Sequence, residues 1–464
     1  MSEILGICRK LLEPSVDLND FETVRRNYGS RDREIPFVPK ISVEEFFERF
    51  LLPNKACLIG ESLTSDWLAR RDWVGEDGKP NWPHLRQRYG ETKVPVADCE
   101  QVEYGSHVKI EMTLNEYLDY WQDDIRTRSD DVAGSRRRIL YLKDWHFVRV
   151  FKDSPIYHVA APFQSDWLNE YWDASGTDDY RFVYMGPKGT WTPFHADVFR
   201  SYSWSTNICG RKRWLLFPPG EEVAFRDRFG SFPLDVTSDD VKNSGQFPAY
   251  EQATQPIVVI QEAGQTIFVP SGWHHQVENL EDTVSINHNW GNACNVVYLW
   301  KGLKDDLLEV EKAISDCRDM DDYHTHCQVL LRSHSGLNYP GFLKLILTVG
   351  SQRLDKMEKF LQQLGSESNT AGEADRAAST RVMTEQLCCS SERQLKFTGN
   401  HWNLFDLTCM RLVLQDVLAQ SLSEAFTEQE QPSIMEASEL LKTVTNCTLL
   451  FLNAHTTPEQ CTRT

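Results

Sequence analysis

The stretch Trp191-Thr192-Pro193-Phe194-His195-Ala196-Asp197 decides how this chain is read. In an extended strand, side chains two positions apart point to the same face. The imidazole of His195 and the carboxylate of Asp197 can therefore converge on one point in space. Two histidines and one carboxylate on one face of an octahedron form a metal site whose opposite positions stay open to incoming ligands. The pair supplies two of those three donors. A lone His-x-Asp is more often a hydrogen-bonded core histidine, so the reading depends on a second histidine from another strand.

Outward from this stretch run short segments rich in aromatic and β-branched residues, at 139–142, 181–185, 192–197, 201–208, 212–217, 257–261, 266–269, 275–279 and 283–289. Their spacing predicts about nine strands, hence a sandwich or a barrel, in which closure disposes of exposed edges. Cys209-Gly210 predicts a hairpin turn, and residues 221–228 a helical insert. Upstream, Val43, Phe46, Phe47 and Phe50 fall at helical spacing behind Ser42, and a second helix is expected over 62–74. Thr113 with Glu116 predicts a capped helix over 113–121, whereas 76–93, rich in Gly, Pro and charge, reads as a surface loop.

Beyond Asn295 the period becomes helical. Leu299, Leu303, Leu307, Val310 and Ile314 are spaced by three or four, as are Leu407, Met410, Leu414 and Val417. Ser433 with Glu436 has the form of a capping box, and 365–380 reads as a flexible linker. The expected organisation is an N-terminal helical and mixed region at 1–137 packing on the β core, a β domain at 138–295, and a C-terminal helical region at 296–464. The last offers a surface for a homo-oligomer.

The chain has 464 residues, 41% hydrophobic and 25% charged, enough for a sizeable core. Its formal charge of −19 argues against direct binding of nucleic acid, which needs a basic surface. Twelve cysteines lie scattered without zinc-finger spacing, as expected in a reducing compartment, the cytoplasm or nucleus. No run reaches the roughly 20 apolar residues of a membrane helix, and the opening residues are too short an apolar stretch for a signal peptide. His324, His326 and Cys327 lack a fourth ligand at useful spacing, Cys388-Cys389 read as ordinary thiols, and Arg136-Arg137-Arg138 as a solvated strand edge.

The third ligand is expected from Pro270-Ser271-Gly272-Trp273-His274-His275-Gln276-Val277. Adjacent strand residues face opposite ways, so only one of His274 and His275 can join His195 and Asp197. Together with Cys209-Gly210-Arg211-Lys212-Arg213-Trp214 and Gly264-Gln265-Thr266-Ile267-Phe268-Val269-Pro270, these motifs give the chain a resemblance to the JmjC-domain oxygenases over roughly 138–295. That resemblance implies a mainly β core, a double-stranded β-helix of the cupin jelly-roll type with helical regions at both ends. It implies that His195, Asp197 and His275 hold Fe(II), with His274 in the place of an aromatic residue.

The resemblance further implies that Lys212 pairs with the distal carboxylate of 2-oxoglutarate, and that Thr192, Tyr141, Asn287 and Ser205 border this co-substrate. A carboxylate buried in a small barrel needs a cation and hydroxyl donors, which Lys212, Tyr141 and Thr192 can supply. Without the other motifs Lys212 would read as a snorkelling strand lysine, and Tyr141 as a core tyrosine. The expected reaction consumes O2 and 2-oxoglutarate. Within the family the resemblance is to a lysyl hydroxylase of the eukaryotic translation termination factor, which implies a protein substrate. The alternatives are a histone lysine demethylase, a non-catalytic binding module and a cupin-like structural metal protein.

Overall fold

The computed structural model describes residues 2–13, 16–21, 33–103, 105–129, 138–368, 399–420 and 426–454. Residues 369–380 of the expected linker, Arg136, Arg137 and the Cys388-Cys389 pair lie outside them. The described cysteines are free thiols, and no helix among the described residues is long and apolar enough to cross a membrane.

The chain divides into two compact units, Gly29–Trp290 and a second made of Met1–Tyr28 with Gly291–Thr464. The first holds the described strands: β1 (Phe37–Val38), β2 (Cys57–Ile59), β3 (Lys93–Glu103), β4 (Ser106–Thr113), β5 (Leu140–Trp145), β6 (Arg181–Gly186), β7 (Trp191–Ala196), β8 (Tyr202–Cys209), β9 (Lys212–Phe217), β10 (Ile257–Gln261), β11 (Thr266–Val269), β12 (His274–Asn279) and β13 (Thr283–Trp290). They form a nine-stranded sheet in the order β1-β2-β11-β8-β13-β6-β5-β3-β4 and a four-stranded sheet in the order β10-β9-β12-β7. This is the cupin arrangement that the family resemblance implies, built as two open sheets and not as a closed barrel.

Every one of the nine expected central segments is a strand, but the turn at Cys209-Gly210 is no hairpin. β8 pairs with β11 and β13, while β9 pairs with β10 and β12, so the turn carries the chain from one sheet to the other. Gly210 makes the crossing possible. Its φ is +78°, and a Cβ there would lie 2.3 Å from the carbonyl oxygen of Asp282.

The faces follow from strand alternation. Trp214, Leu216 and Val277 of the small sheet pack with Leu58, Ile267 and Val269 of the large one in a shared core. On the outer side of the small sheet Phe194, Leu215 and Phe217 pack with Phe225 and Val236 of the insert between β9 and β10. That insert contains a 3-10 turn, Glu222–Phe225, in place of a regular helix.

Other expectations need correction at element ends. The helix expected at 42–50 begins with Ser42 capping Val43–Phe46 and continues as a π-helix, Phe47–Leu51. Residues 62–74 break into a 3-10 turn, Glu61–Leu63, and a short helix, Leu68–Asp72. The loop expected at 76–93 contains the helix Trp82–Tyr89, because Asn81 caps it and Pro83 fits its first turn. Thr113 and Glu116 do form a reciprocal cap on Leu114–Ser129. Two sheet-extending strands, β3 and β4, also lie in this N-terminal region.

In the other unit Leu407, Met410, Leu414 and Val417 are all buried on the helix Gly399–Ala419. Residues 365–368 are helical, as the end of Tyr339–Ser368. The last helix, Gln431–Ala454, starts ahead of the expected Ser433-Glu436 box, since Thr427 and Glu430 cap it: both the amide and hydroxyl of Thr427 donate to Glu430 Oε2, at 3.1 and 2.9 Å.

Candidate metal centre and co-substrate pocket

The pairing of β7 with β12 sets His195 directly opposite His275, and the residues either side of His275 face the other way. His275 therefore points between the sheets. His274 points to the outer layer, where its ring packs against Phe194 and Phe232 at 5.3 and 4.9 Å. The structure thus separates the two histidines that sequence alone leaves equivalent, and it does so through alternation.

His195, Asp197 and His275 each offer one donor atom within 4.8 Å of the others. The imidazole rings of His195 and His275 lie 4.4 Å apart. Nδ1 of His195 is 2.7 Å from the Pro193 carbonyl, and Nδ1 of His275 is 3.2 Å from that of Trp273. A carbonyl only accepts, so each Nδ1 carries the proton and each Nε2 keeps its lone pair. Burial, followed by the neighbouring imidazole, pushes His195 down to about 4, and burial lowers His275. Both rings are neutral at pH 7, as metal ligands must be.

Asp197 is held from behind. Ser203 Oγ donates to its Oδ2 at 2.7 Å and Asn289 Nδ2 to its Oδ1 at 2.8 Å. Immediately after it, Phe199 and Arg200 adopt left-handed backbone, with φ of 57° and 51°. Each such residue costs about 1–2 kcal/mol, and strain of this kind concentrates at functional sites. Ser203 and Asn289 escape the sequence reading because nothing local marks them; only the β8–β13 register brings them beside Asp197.

Across the pocket lies Lys212, on the first residue of β9 and only 2% exposed. Its Nζ contacts the Tyr141 hydroxyl at 3.2 Å, and among the described residues no carboxylate pairs with it. Burial pushes this ammonium down to about 7. Ser205 Oγ is buried without a hydrogen-bond partner. A solvent-excluded cation in a pocket that also holds the unused Ser205 hydroxyl is suited to receive an anion. All eight residues singled out in the sequence, Tyr141, Thr192, His195, Asp197, Ser205, Lys212, His275 and Asn287, line this single pocket, along with Tyr184 and Trp214.

The cupin-like domain family matches residues 43–295. The chain belongs to the cupin-like JmjC oxygenases. It is 48% identical over 340 residues to the chicken (Gallus gallus) protein named 2-oxoglutarate and iron-dependent oxygenase JMJD4, covering 72% of this chain and 79% of that one. To the human protein of the same name it is 49% identical over 330 residues, 70% of this chain and 78% of that one. An Arabidopsis thaliana relative, named arginine-specific demethylase JMJ20, is 43% identical over 319 residues, 65% of this chain and 67% of its own. A JmjC oxygenase needs a two-histidine, one-carboxylate metal face, and His195, Asp197 and His275 fit it by donor chemistry, ring tautomer and support. Among the described residues His324, His326 and Cys327 form no such group.

Proposed function

We propose that this chain is an Fe(II)- and 2-oxoglutarate-dependent protein lysyl hydroxylase that acts in the cytoplasm on the eukaryotic translation termination factor. The observation that carries the co-substrate assignment is the buried Lys212 ammonium without a carboxylate partner among the described residues. The names of the animal relatives support the cofactor pair, and the family resemblance supports the lysine target.

In this reading Nε2 of His195, Nε2 of His275 and the Asp197 carboxylate hold the iron. Lys212 takes the distal carboxylate of 2-oxoglutarate, the Tyr141 hydroxyl steadies the ammonium, and Ser205, Thr192 and Asn287 border the bound acid. Bound together with O2, iron and 2-oxoglutarate supply the oxidation: the co-substrate becomes succinate and CO2 and one oxygen atom enters a substrate C–H bond. The protein's own contribution is positional. Ser203 and Asn289 fix the carboxylate, the two backbone carbonyls fix the imidazoles, and the sheets exclude water from the Lys212 end.

A second reading, N-demethylation, is favoured by the name of the Arabidopsis relative. It uses the same insertion on an N-methyl carbon, after which the product releases formaldehyde. Mass spectrometry of purified termination factor, and of histone tails methylated on lysine or arginine, after incubation with the enzyme, iron, ascorbate and 2-oxoglutarate separates the readings. Hydroxylation adds one oxygen to a lysine of the factor. Loss of a methyl group supports demethylation. No change, with no succinate formed, leaves a binding module and overturns the proposal.

A further inference from the structure

A second cluster of metal-type donors lies at the corner between β5 and β6. His146 directly follows β5, and Asp178 and Asp179 lie just ahead of β6; one donor atom from each falls within 4.8 Å of the others. Nδ1 of His146 is 2.5 Å from Asp179 Oδ1 and 3.8 Å from Asp178 Oδ1. Asp179 is only 1% exposed, yet its Oδ2 accepts no hydrogen bond among the described residues. Asp178 Oδ1 accepts from the half-exposed Arg149 guanidinium at 3.0 Å and from the Asp179 amide at 2.9 Å, so neither donor reaches the bare oxygen of Asp179.

A carboxylate this deeply buried costs several kcal/mol unless cations or donors compensate it. One imidazole contact on Oδ1 leaves the other oxygen bare. We infer that His146, Asp178 and Asp179 form a second divalent-metal site, for an ion of the zinc class, separate from the His195, Asp197 and His275 centre. One nitrogen and two carboxylate ligands suit zinc and leave a position for water. The metal takes Nδ1 of a neutral imidazole that carries its proton on Nε2, and Asp179 exchanges a hydrogen bond for a metal bond.

The site's place gives it a role. The His146 ring meets Phe182 edge-on at 5.0 Å, and Phe182 is the register partner of Asn287 in the co-substrate pocket. An ion here ties the end of β5 to the start of β6 beside the pocket wall. It holds position and takes no part in the oxidation.

The test uses the full chain carrying Asp197→Ala, which removes the triad carboxylate, titrated with Zn2+ alone and followed by metal analysis and thermal unfolding. The expected result is that adding His146→Ala lowers the bound zinc by one equivalent and abolishes the zinc-dependent rise in Tm. Asp178→Asn should weaken the same equivalent. Because the His146 side chain is 35% exposed, its alanine variant is the one suited to the test should Asp179→Asn fail to fold. Equal zinc uptake and equal Tm shifts with and without His146→Ala overturn the inference, whether the shared uptake is zero or is carried by thiols.

Discussion

At Lys212 burial and charge oppose one another. With its pKa pushed down to about 7 by burial, the empty pocket holds a fully charged ammonium only below that pH. A bound carboxylate favours the charged form and raises the pKa, so co-substrate binding takes up a proton above pH 7. Affinity for 2-oxoglutarate should therefore be greatest below pH 7 and fall about tenfold per unit above it, until the raised pKa of the complex is passed. Binding measured from pH 6 to 9 checks this, and Lys212→Met should flatten the profile. Lys212→Ala should also cost about 2–5 kcal/mol, some thirtyfold or more in affinity. Around the metal, Asp197→Ala and His275→Ala should abolish turnover, while His274→Ala, which removes only outer-layer packing, should reduce it. Inactivity of His274→Ala together with iron-loaded, active His275→Ala would reverse the ligand assignment. Ser203→Ala should weaken iron binding about 10–100-fold with the three ligands intact, since it strips Asp197 Oδ2 of its donor. His195 and Asp197 are legible in sequence as a candidate ligand pair, whereas His275 is told from His274 only by the family resemblance and by strand register. Ser203 and Asn289, which support Asp197, are ordinary polar residues until register places them.

Among the elements, the central strands are readable because aromatic and β-branched residues bounded by turns leave little else for them to be. The sheet each strand joins is not readable, since the pattern records which faces are apolar and is silent on partners. The Cys209-Gly210 turn shows the consequence: its residues suit a hairpin, yet it bridges two sheets. Long-range pairing decides, as in β3, which carries a run of consecutive buried residues and shows no clean alternation. Gly210→Ala tests how tightly that bridge is built. The left-handed backbone alone costs about 1–2 kcal/mol for a residue with Cβ. The clash with the Asp282 carbonyl adds to it, and backbone on the opposing side cannot move aside as a side-chain end can. A fall in Tm is expected, accompanied by weaker 2-oxoglutarate binding, because Lys212 is two residues further along the chain. A variant as stable as the parent would show that the two sheets tolerate a different crossing.

At the scale of the molecule, the ends of the chain meet in one unit, Met1–Tyr28 with Gly291–Thr464, which sequence periodicity could not pair because it registers helices one at a time. The helix Ser2–Leu11 buries Ile4, Ile7, Cys8 and Leu11, all at most 5% exposed. Arg411, buried on Gly399–Ala419, donates to the Leu11 carbonyl at 3.1 Å. Burying apolar side chains of this size stabilises by about 1.5–3 kcal/mol each at full burial. Removing the acceptor of a buried guanidinium costs about 1–3 kcal/mol more. Deleting residues 2–12 should therefore destabilise this unit by several kcal/mol, lowering its unfolding transition by about 10 °C or more. The residues lining the candidate metal and co-substrate pocket all fall within Gly29–Trp290, so the same deletion should leave iron and 2-oxoglutarate binding at parental strength. Calorimetry beside equilibrium binding on the deletion variant separates these effects. Loss of binding in step with the transition would mean that the two units unfold as one cooperative body.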